Sequence, residues 1–545
     1  MQLYFSPNLI KIKTKINKTF WGDILSPLFF MTRKILSSKT ILFLFVSLTT
    51  GLSYLFTVSQ RLTWANFGND GGDFLSAILT GGIPHPTGYP TYTVLGILFQ
   101  KIPVGDPYFR AAMLSWLPAA ISAGLLALLI KQVLNDRSAA ISSPTSLVAG
   151  LVWGWMPFLW SQAVIIEVHG LQSLFLVLAL WWIWILLKGN QRKDKTSAFI
   201  LLAFCFGLSI GNHITILLFL PAILFALWIA RKNGLQKRMI FGQIIAIGLG
   251  TLIYLYLPIR ATYYPPINWG NPQTWQGFWW VISGNPYQNL VAATSISQVF
   301  TRISALAGLL IQQFGYTGVI LGVIGAVQYK HQTKNLPIIL VYIFFAFSFF
   351  AILYGTDDSI TYLLASFLVF VIWIGLGIAT ITPFVWRKIP VGYALLGIYS
   401  ITVVAAIPGT IQTISPREQT QPADYAEYLM GHLPENTILL TSEDRDSFPV
   451  WYYHFGLQQR SDLVVIVLPL SQFRWYQETL THTYPELNFP DLISQTSNKS
   501  AAWGERVPDL NPDRPVCRST IQKATNKSIY VLCSNGQNYN FVISE

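Results

Sequence analysis

Residues 41–60 read ILFLFVSLTTGLSYLFTVSQ, a stretch without a single charged side chain. An α-helix needs about 20 apolar residues to cross the hydrocarbon core of a bilayer. This stretch therefore predicts a membrane-spanning helix. A secretory signal would be shorter, would lie nearer the N-terminus and would be followed by a small-residue cleavage site. Since the sequence after residue 60 shows no such site, we expect the helix to be retained.

The composition of the whole chain agrees with a membrane protein. Of its 545 residues, 52% are hydrophobic and 11% are charged, and the mean hydropathy is +0.46. A soluble protein carries about 25% charged residues. The composition therefore excludes a soluble enzyme, a disordered chain and a disulfide-rich scaffold. Because the sequence contains only three cysteines, a cysteine-rich metal framework is excluded as well.

Further apolar runs predict a polytopic, mainly α-helical protein with about eleven transmembrane helices. After the first span, these runs are approximately Ala111–Lys131, Leu147–Ile166, Leu171–Lys188, Ala198–Gly211, Ile214–Ala230, Ile240–Pro258, Ile303–Gln328, Leu336–Tyr354, Ile360–Pro383 and Val391–Ile411.

The basic residues predict the orientation of these spans. With the N-terminus inside and the connections alternating, about 21 Lys and Arg fall on the inner side and only Arg61, Lys101, Arg110, Arg260 and Arg302 fall outside. This asymmetry follows the positive-inside rule. Residues 1–40 then form a basic arm at the inner membrane surface, residues 41–411 the membrane domain with a first outer loop at 61–110, and residues 412–545 an extracytoplasmic domain. Because the net charge of +12 follows membrane topology, it predicts no nucleic-acid partner.

An unusual set of polar side chains falls on the outer side of this topology. The set contains Asp70, Asp73, His85, Tyr89, Glu167, His169, Asn212, His213, Arg260, Asp357 and Asp358. Ionisable residues at membrane depth are costly and mark a functional site by default. Because the middles of the spans carry almost no charge, an ion-coupled carrier with a midplane site is disfavoured. The pattern favours chemistry at the outer interface.

Most members of this set also have a purely structural interpretation. Asp70 and Asp73 could cap a helix beginning near Phe74, although the two glycines between them would let a substrate approach the backbone closely. His85, between two prolines, could only stiffen its loop, and His169 and His213 could be hydrogen-bonded residues of the membrane interface. Arg260 could extend to the membrane surface. Asp357 and Asp358 could be solvated charges of a loop.

Several motifs carry a resemblance to a known family. Residues 68–96 read GNDGGDFLSAILTGGIPHPTGYPTYTVLG, and the match continues through Glu167–Leu171, LSIGNH (208–213), YLPIRATYYPPINWGNPQTWQGFWW (256–280) and ILLTSEDRDSFPVWYYHFG (438–456). These segments resemble a widespread membrane family, once labelled a domain of unknown function, that is grouped with protein O-mannosyltransferases in the GT-C glycosyltransferase superfamily. The resemblance covers most of the chain beyond the N-terminal arm.

The resemblance implies a polytopic glycosyltransferase whose active site lies at the outer leaflet. The implied donor is a sugar on a polyprenyl phosphate, and the implied catalytic base is a carboxylate of the first outer loop. The family pattern at residues 70–73 reads Asp-Ser-Gly-Glu, whereas this chain has Gly71 and Asp73, which shortens the second carboxylate by one methylene. An aromatic residue such as Tyr is expected in the family at the position of His169.

The chemistry of this transfer assigns provisional roles to the outer residues. Asp70 or Asp73 would be the base for an acceptor hydroxyl. Arg260 would hold the lipid phosphate, because a guanidinium fork matches phosphate oxygens. The residues assigned to the donor and its phosphate are His213, Asn212 and His85. The residues assigned to the substrate are Tyr89, Glu167, His169 and Asp357. Trp269 and Trp275 could stack on sugar faces or anchor the protein at the membrane interface.

Neither a nucleotide nor a metal is expected. The sequence contains no Gly-rich phosphate loop, so it predicts no nucleotide-sugar or ATP site. Asp70, Asp73 and Asp357 offer enough oxygen ligands for a divalent cation in principle, but the sequence does not show that they converge. We therefore expect no cofactor.

The polar C-terminal region predicts a small α/β domain. Helices are expected at 423–433 and 450–457, strands at 437–441 and 462–468, and a hairpin at 528–543 around Asn535–Gly536. Between them, residues 442–447 (SEDRDS) are expected to form a loop whose Glu443, Asp444 and Asp446 contact an acceptor or only make a solvated turn. Cys517 and Cys533 could form a disulfide in an oxidising compartment.

Three functions remain to be weighed. The first is transfer of mannose or a similar hexose from a polyprenyl-phosphate donor, within the membrane lipid, to a hydroxyl of a protein or glycan acceptor. The second is a transporter or lipid flippase, which would need an internal repeat and midplane polar sites. The third is a non-catalytic assembly protein. The short outer domain and compact loops favour a bacterial inner membrane, with the active site and C-terminus extracytoplasmic.

Overall fold

The computed structural model of the protein describes residues 39–188, 196–328, 335–387, 389–492, 503–522 and 528–542. The predicted N-terminal arm, apart from its last two residues, lies outside these ranges. So do several of the inner-side basic residues, namely Arg192, Lys193, Lys195, Lys330, Lys334 and Lys388.

Within the described ranges, nine helices are long and apolar enough to cross a membrane. They are Lys39–Thr57, Pro107–Val133, Val168–Lys188, Ile214–Lys232, Lys237–Ala261, Ile296–Val327, Leu336–Leu353, Asp357–Ile381 and Val391–Ile414. Each matches one of the predicted spans, so the polytopic helical fold is confirmed.

The two other predicted spans correspond to shorter helices. The run at 198–211 forms the helix Thr196–Ile210. The run at 147–166 is divided between Ala139–Trp155 and Pro157–Ala163, with Met156 in an extended conformation between them (φ −57°, ψ 127°). The break follows from Pro157, which lacks an N–H and disfavours helical geometry in the residue before it. The count of eleven spans stays a prediction.

Buried helices of the membrane domain approach one another through small residues and polar contacts. The helices Ile296–Gln328 and Leu364–Ile381 pack together at Gly325 and Gly377, where a Cβ would collide with a carbonyl of the opposite helix. Indole N–H groups also bridge helices, as from Trp153 to Ser122 Oγ (2.9 Å) and from Trp182 to Gln243 Oε1 (2.8 Å). Such contacts hold helices together where the surrounding lipid is as apolar as the side chains.

Short helices lie at those ends of the spans that the positive-inside pattern predicts to face outward, called the outer ends below. The first-loop helix comprises Gly71–Thr80, and Pro90–Phe99 follows it. Trp275–Ile282 forms a third short helix, and single 3₁₀ turns run from Ala65 to Asp70 and from Asn285 to Leu290.

The outer domain is a mixed five-stranded sheet with helices. Its strands are β1 (Ile438–Thr441), β2 (Val464–Val467), β3 (Val516–Gln522), β4 (Ser528–Cys533) and β5 (Asn538–Val542), in the order β2-β1-β3-β4-β5. β1 is parallel to β2 and β3, and the pairs β3–β4 and β4–β5 are antiparallel. Its helices are Gln421–His432, Asp444–Trp451 and Arg474–Thr483.

Most expectations for the outer domain are confirmed, and two need correction. The disulfide joins Cys517 to Cys533, which face each other on β3 and β4. β3 itself was not predicted. The expected loop at 442–447 is wrong because a helix begins at Asp444, where the Glu443 side chain and the Asp446 side chain form a reciprocal capping box. Acidic residues at both capping positions gave a polar pattern that resembles a loop.

Candidate active site

A cavity of about 980 Å³ opens between the outer ends of the spans and the outer domain. Its walls come from the first outer loop, from the segment 283–291, from the outer ends of two spans near residues 213 and 354–362, and from residues 442–445 and 467–470 of the outer domain. Apolar and polar side chains alternate in this lining. The predicted site residues Asp70, His85, Tyr89, His213 and Asp357 all line it.

The first-loop helix brings Asp70 to the cavity. Asn66 and Phe67 adopt positive φ angles (57° and 66°) in the turn before it, and Asp70 takes the N-cap position without making a capping hydrogen bond. Helix capping therefore does not account for the Asp70 side chain. Two residues later, Gly72 packs so closely on Phe448 of the outer domain that a Cβ would collide with the Phe448 carbonyl.

Asp73 lies behind the cavity wall and is hydrogen-bonded to His85. Its side chain is fully buried. The backbone N–H and the ring Nδ1 of His85 both donate to Asp73 Oδ2, at 2.9 and 2.7 Å, and Trp269 Nε1 donates to Oδ1 at 3.1 Å. These three hydrogen bonds fix the carboxylate in place. They also fix the ring of His85, whose Nε2 lies 3.6 Å from Asp70 Oδ2.

The charges of this cluster shift the pKa of its members. Burial alone would lower the pKa of His85, but the charge of Asp70 and the hydrogen bond to Asp73 raise it to about 9. Burial raises the pKa of Asp70; the positive charge of His85 opposes this rise and the charge of Asp73 adds to it. At neutral pH, a protonated His85 therefore faces an Asp70 whose affinity for a proton is increased, as a general base requires.

Two other walls contribute aromatic and imidazole groups. Tyr89 lines the cavity and packs edge-on against Phe74, and its ring lies 5.0 Å from that of His85. His213 bonds through Nδ1 to Thr215 Oγ1 at 2.7 Å. Both rings therefore line the cavity, and their roles at the substrate and the donor stay predictions.

Four other predicted residues lie outside the cavity lining. Glu167 is buried and accepts from the N–H of Val168 at 3.2 Å. His169 is buried with its ring 5.6 Å from that of His213. Asn212 is fully buried and donates to Gln172 Oε1 at 3.0 Å.

Arg260, the predicted phosphate ligand, instead supports the end of the first-loop helix. Its Nε donates to the carbonyl of Gly81 at 2.6 Å and its Nη2 to that of Thr80 at 3.3 Å. Cations commonly satisfy the last carbonyls of a helix in this way. The guanidinium is not among the groups that line the cavity.

The predicted tryptophans have different environments. Trp269 is only 7% exposed and is committed to Asp73, whereas Trp275 is 73% exposed. The cavity also contains residues that the sequence did not single out, among them Asn69, Tyr287, Tyr362 and Arg445. Arg445 belongs to the SEDRDS segment, in which only the carboxylates had been chosen.

The described residues contain no group of three or more His, Cys, Asp or Glu side chains arranged to hold a metal ion. The oxygens of Asp70, Asp73 and Asp357 that could have supplied one do not form such a group.

Two models of known protein domains match parts of the chain. The model of the protein O-mannosyl-transferase TMEM260 N-terminal domain matches residues 70–236, and that of the TMEM260-associated domain 2 matches residues 422–499. Over these two regions, which together cover less than half of the 545 residues, the chain is similar to the protein O-mannosyl-transferase TMEM260 family. The first match begins at Asp70, and the second contains the part of the outer domain that borders the cavity.

Two protein O-mannosyl-transferases are distantly similar to the chain. The chain is 23% identical over 513 residues to protein O-mannosyl-transferase tmem260 of Dictyostelium discoideum, covering 84% of this chain and 61% of that protein. It is 24% identical over 459 residues to protein O-mannosyl-transferase TMEM260 of Mus musculus, covering 78% and 62%. The chain thus spans about three fifths of the length of these relatives.

The GT-C fold is shared with a solved structure. ArnT from Cupriavidus metallidurans bound to undecaprenyl phosphate superimposes with a TM-score of 0.55 at 11% identity, over 93% of this chain and 98% of ArnT. The membrane body and the outer domain therefore both belong to the shared architecture.

Proposed function

We propose that this protein is a membrane glycosyltransferase that moves a sugar from a polyprenyl-phosphate donor to an acceptor hydroxyl at the outer leaflet. The observation that carries the proposal is the Asp70 carboxylate, which faces a large cavity while His85 and Asp73 support it from behind. The named O-mannosyltransferase relatives support the reaction class. The ArnT complex with undecaprenyl phosphate, which has the same fold, supports the donor class.

The lining of the cavity suits a donor with a polar head and an apolar tail. Leu290, Val291 and Phe350 offer apolar surface. The carboxylates of Asp70, Asp357 and Asp444 offer hydrogen-bond acceptors for sugar hydroxyls. A tail that remains in the bilayer could thus place its headgroup beside Asp70.

In this proposal the base is Asp70 rather than Asp73. Asp73 is fully buried and already accepts three hydrogen bonds, so it positions His85. Asp70 removes the proton of the acceptor hydroxyl while that oxygen attacks the anomeric carbon of the sugar. The bond between the anomeric carbon and the phosphate oxygen breaks, and the polyprenyl phosphate leaves with the electron pair. The charged ring of His85 keeps Asp70 oriented and favours its ionised form.

The finer features of the reaction follow the names of the relatives and the predicted topology. Mannose or a similar hexose is the proposed sugar, and a protein or glycan hydroxyl is the proposed acceptor. The positive-inside pattern places the cavity and the C-terminus on the extracytoplasmic side, in our proposal at a bacterial inner membrane.

The test uses the purified full-length protein in proteoliposomes with undecaprenyl-phosphate mannose and a peptide mixture rich in Ser and Thr. Mass spectrometry follows glycosylated peptide and released undecaprenyl phosphate. We expect Asp70→Asn to slow transfer by about 10²–10⁴-fold, while Asp509→Asn, an exposed outer-domain control, leaves it unchanged. Transfer at the parent rate by Asp70→Asn, or accumulation of the sugar lipid across the membrane without any covalent product, would contradict the proposal.

A further inference from the structure

The cavity contains one arginine and many carboxylates. Its carboxylates come from Asp70, Asp357, Asp358, Glu443 and Asp444. Arg445 is the only Lys or Arg among the described residues that line it. An anionic headgroup that enters this space must be met by a positive charge, because an unpaired anion among carboxylates is costly to desolvate.

One nitrogen of the Arg445 guanidinium is engaged by a neighbouring residue, and the other two remain available to a ligand. Its Nε lies 3.3 Å from Asn69 Oδ1, a neutral acceptor of the first outer loop. Within the described ranges, Arg445 forms no ion pair, and no other hydrogen bond engages its Nη1 or Nη2. A guanidinium with Nε occupied retains the pair of terminal amino groups that bind two oxygens of a phosphate.

The backbone that carries Arg445 is rigid. Asp446, which is fully buried, accepts from the backbone N–H of Ser442 at 3.1 Å and of Glu443 at 2.8 Å. The helix Asp444–Trp451 is in turn pressed against Gly72 of the first-loop helix. Arg445 and Asp70 therefore border the same cavity on two elements that contact one another.

We propose that Arg445, which belongs to the outer domain, binds the phosphate of the lipid headgroup, with Asn69 orienting its guanidinium. This inference rests on the proposed function and deepens it, because it makes the outer domain part of the donor site. As the anomeric bond breaks, the leaving phosphate oxygen gains negative charge, and Arg445 is placed to stabilise that charge in the transition state. Arg260 is not among the residues that line the cavity, and its Nε and Nη2 already donate to backbone carbonyls at the end of the first-loop helix.

Binding of unglycosylated undecaprenyl phosphate to the full-length protein in detergent tests the inference without requiring turnover. We expect Arg445→Met to weaken binding by about 10- to 100-fold, the range for loss of charge-assisted hydrogen bonds. Arg445→Lys should show an intermediate loss, since it keeps the charge without the fork. The control is Arg474→Met, an outer-domain arginine that pairs with Glu478 away from the cavity.

Two further probes separate the possible sources of the effect. Undecaprenol, which lacks the phosphate, should bind the parent and Arg445→Met equally, and this equality would also show that the variant is folded. Inorganic phosphate should compete with undecaprenyl phosphate in the parent only weakly, because it lacks the tail. If inorganic phosphate competes as well as the lipid, the site belongs to free phosphate.

The outcome distinguishes this inference from the proposed function. If Arg445→Met and Arg445→Lys bind undecaprenyl phosphate within twofold of the parent while Asp70→Asn abolishes transfer, the arginine assignment is wrong and the glycosyltransferase stands. If undecaprenyl phosphate binding depends on Arg445 but no variant or parent transfers sugar, the phosphate site stands and the proposed reaction fails.

Discussion

Two helices that contact one another border the cavity, and a pair of carboxylates lies at the start of each. The first-loop helix has Asp70 facing the cavity and Asp73 buried behind it, and the outer-domain helix Asp444–Trp451 has Asp444 facing the cavity and Asp446 buried behind it. The buried carboxylates differ in their partners. Asp73 is bonded to the side chains of His85 and Trp269 from distant parts of the chain, whereas Asp446 serves the backbone of its own helix start.

This difference indicates a division of labour between the walls. On the first-loop wall, the buried carboxylate of Asp73 holds the titratable ring of His85 beside the carboxylate of Asp70. This arrangement suits transfer of a proton to Asp70. On the outer-domain wall, the buried carboxylate only rigidifies the turn that carries Asp444 and Arg445. In our proposal, proton transfer depends on the first-loop wall and headgroup binding on the outer-domain wall.

The largest expected effect comes from exchanging the buried carboxylates for amides. Asp73→Asn places an amide NH₂ against the donors of His85 or Trp269, so His85 loses its orientation, and we expect kcat to fall by about 10²–10³-fold. Asp446→Asn should lower the free energy of unfolding by about 1–3 kcal/mol but keep kcat per folded molecule within a few-fold. Steady-state transfer and thermal unfolding measure the two. Equal losses of kcat would remove the distinction between the walls.

His85→Gln tests the titratable link between Asp73 and Asp70. Since the pKa of His85 is raised to about 9, its ring is charged below that pH and becomes neutral above it, where Nε2 presents a lone pair to Asp70. We expect kcat/KM of the parent to decrease above about pH 9. The variant should be slower by about 10- to 100-fold and should lack that alkaline limb. The control, His432→Gln on the outer domain, should keep the parent profile.

Trp269→Phe tests whether the hydrogen bond from Trp269 to Asp73 matters beyond the packing of Trp269 on the outer domain. Trp269 contacts Trp451 and Trp475 of that domain, and phenylalanine keeps most of this packing but removes the N–H to Asp73. We expect kcat to fall by about 5- to 10-fold, the loss of roughly 1 kcal/mol of hydrogen bonding, with little change in KM. Trp475→Phe is the matched control, because the indole N–H of Trp475 is buried without a partner in the described structure. An equal loss of kcat in both variants would indicate packing alone.

The smallest effect is expected from Asp444. Enclosure in the cavity and the charge of Asp70 raise the pKa of Asp444 to about 7, so this carboxyl becomes negative as the pH rises through neutrality. The added charge should weaken binding of the anionic donor, and we expect the donor KM of the parent to rise by less than about fivefold between pH 6 and pH 8. Asp444→Asn should flatten that change. A change of the same size in the variant would show that another group is responsible.

The sequence predicted the helical membrane body because long apolar runs dominate its energetics, and it predicted the outer location of Asp70, His85, Tyr89 and His213 because loop sides follow from charge. It could not separate Asp70 from Asp73, which are three residues apart, because their roles depend on Trp269, 196 residues away in sequence from Asp73.

The proposed phosphate ligand could not be predicted from the sequence either. Arg260 and Arg445 are both outer-side arginines in family-like segments, and only tertiary structure reveals that the first caps a helix while the second faces the cavity. β3 was missed because it pairs with β1 across about 80 residues and carries Arg, Ser and Thr among its apolar positions.

The most direct test of the central claim is single-turnover transfer by Asp70→Asn and Asp444→Asn in parallel, with undecaprenyl-phosphate mannose saturating both. We predict that Asp70→Asn slows the chemical step by at least about 100-fold while it binds donor within about threefold of the parent, and that Asp444→Asn transfers within about fivefold of the parent rate. A chemical step of parental rate in Asp70→Asn, or an equal loss in the two variants, would contradict the assignment of the base to the first-loop wall.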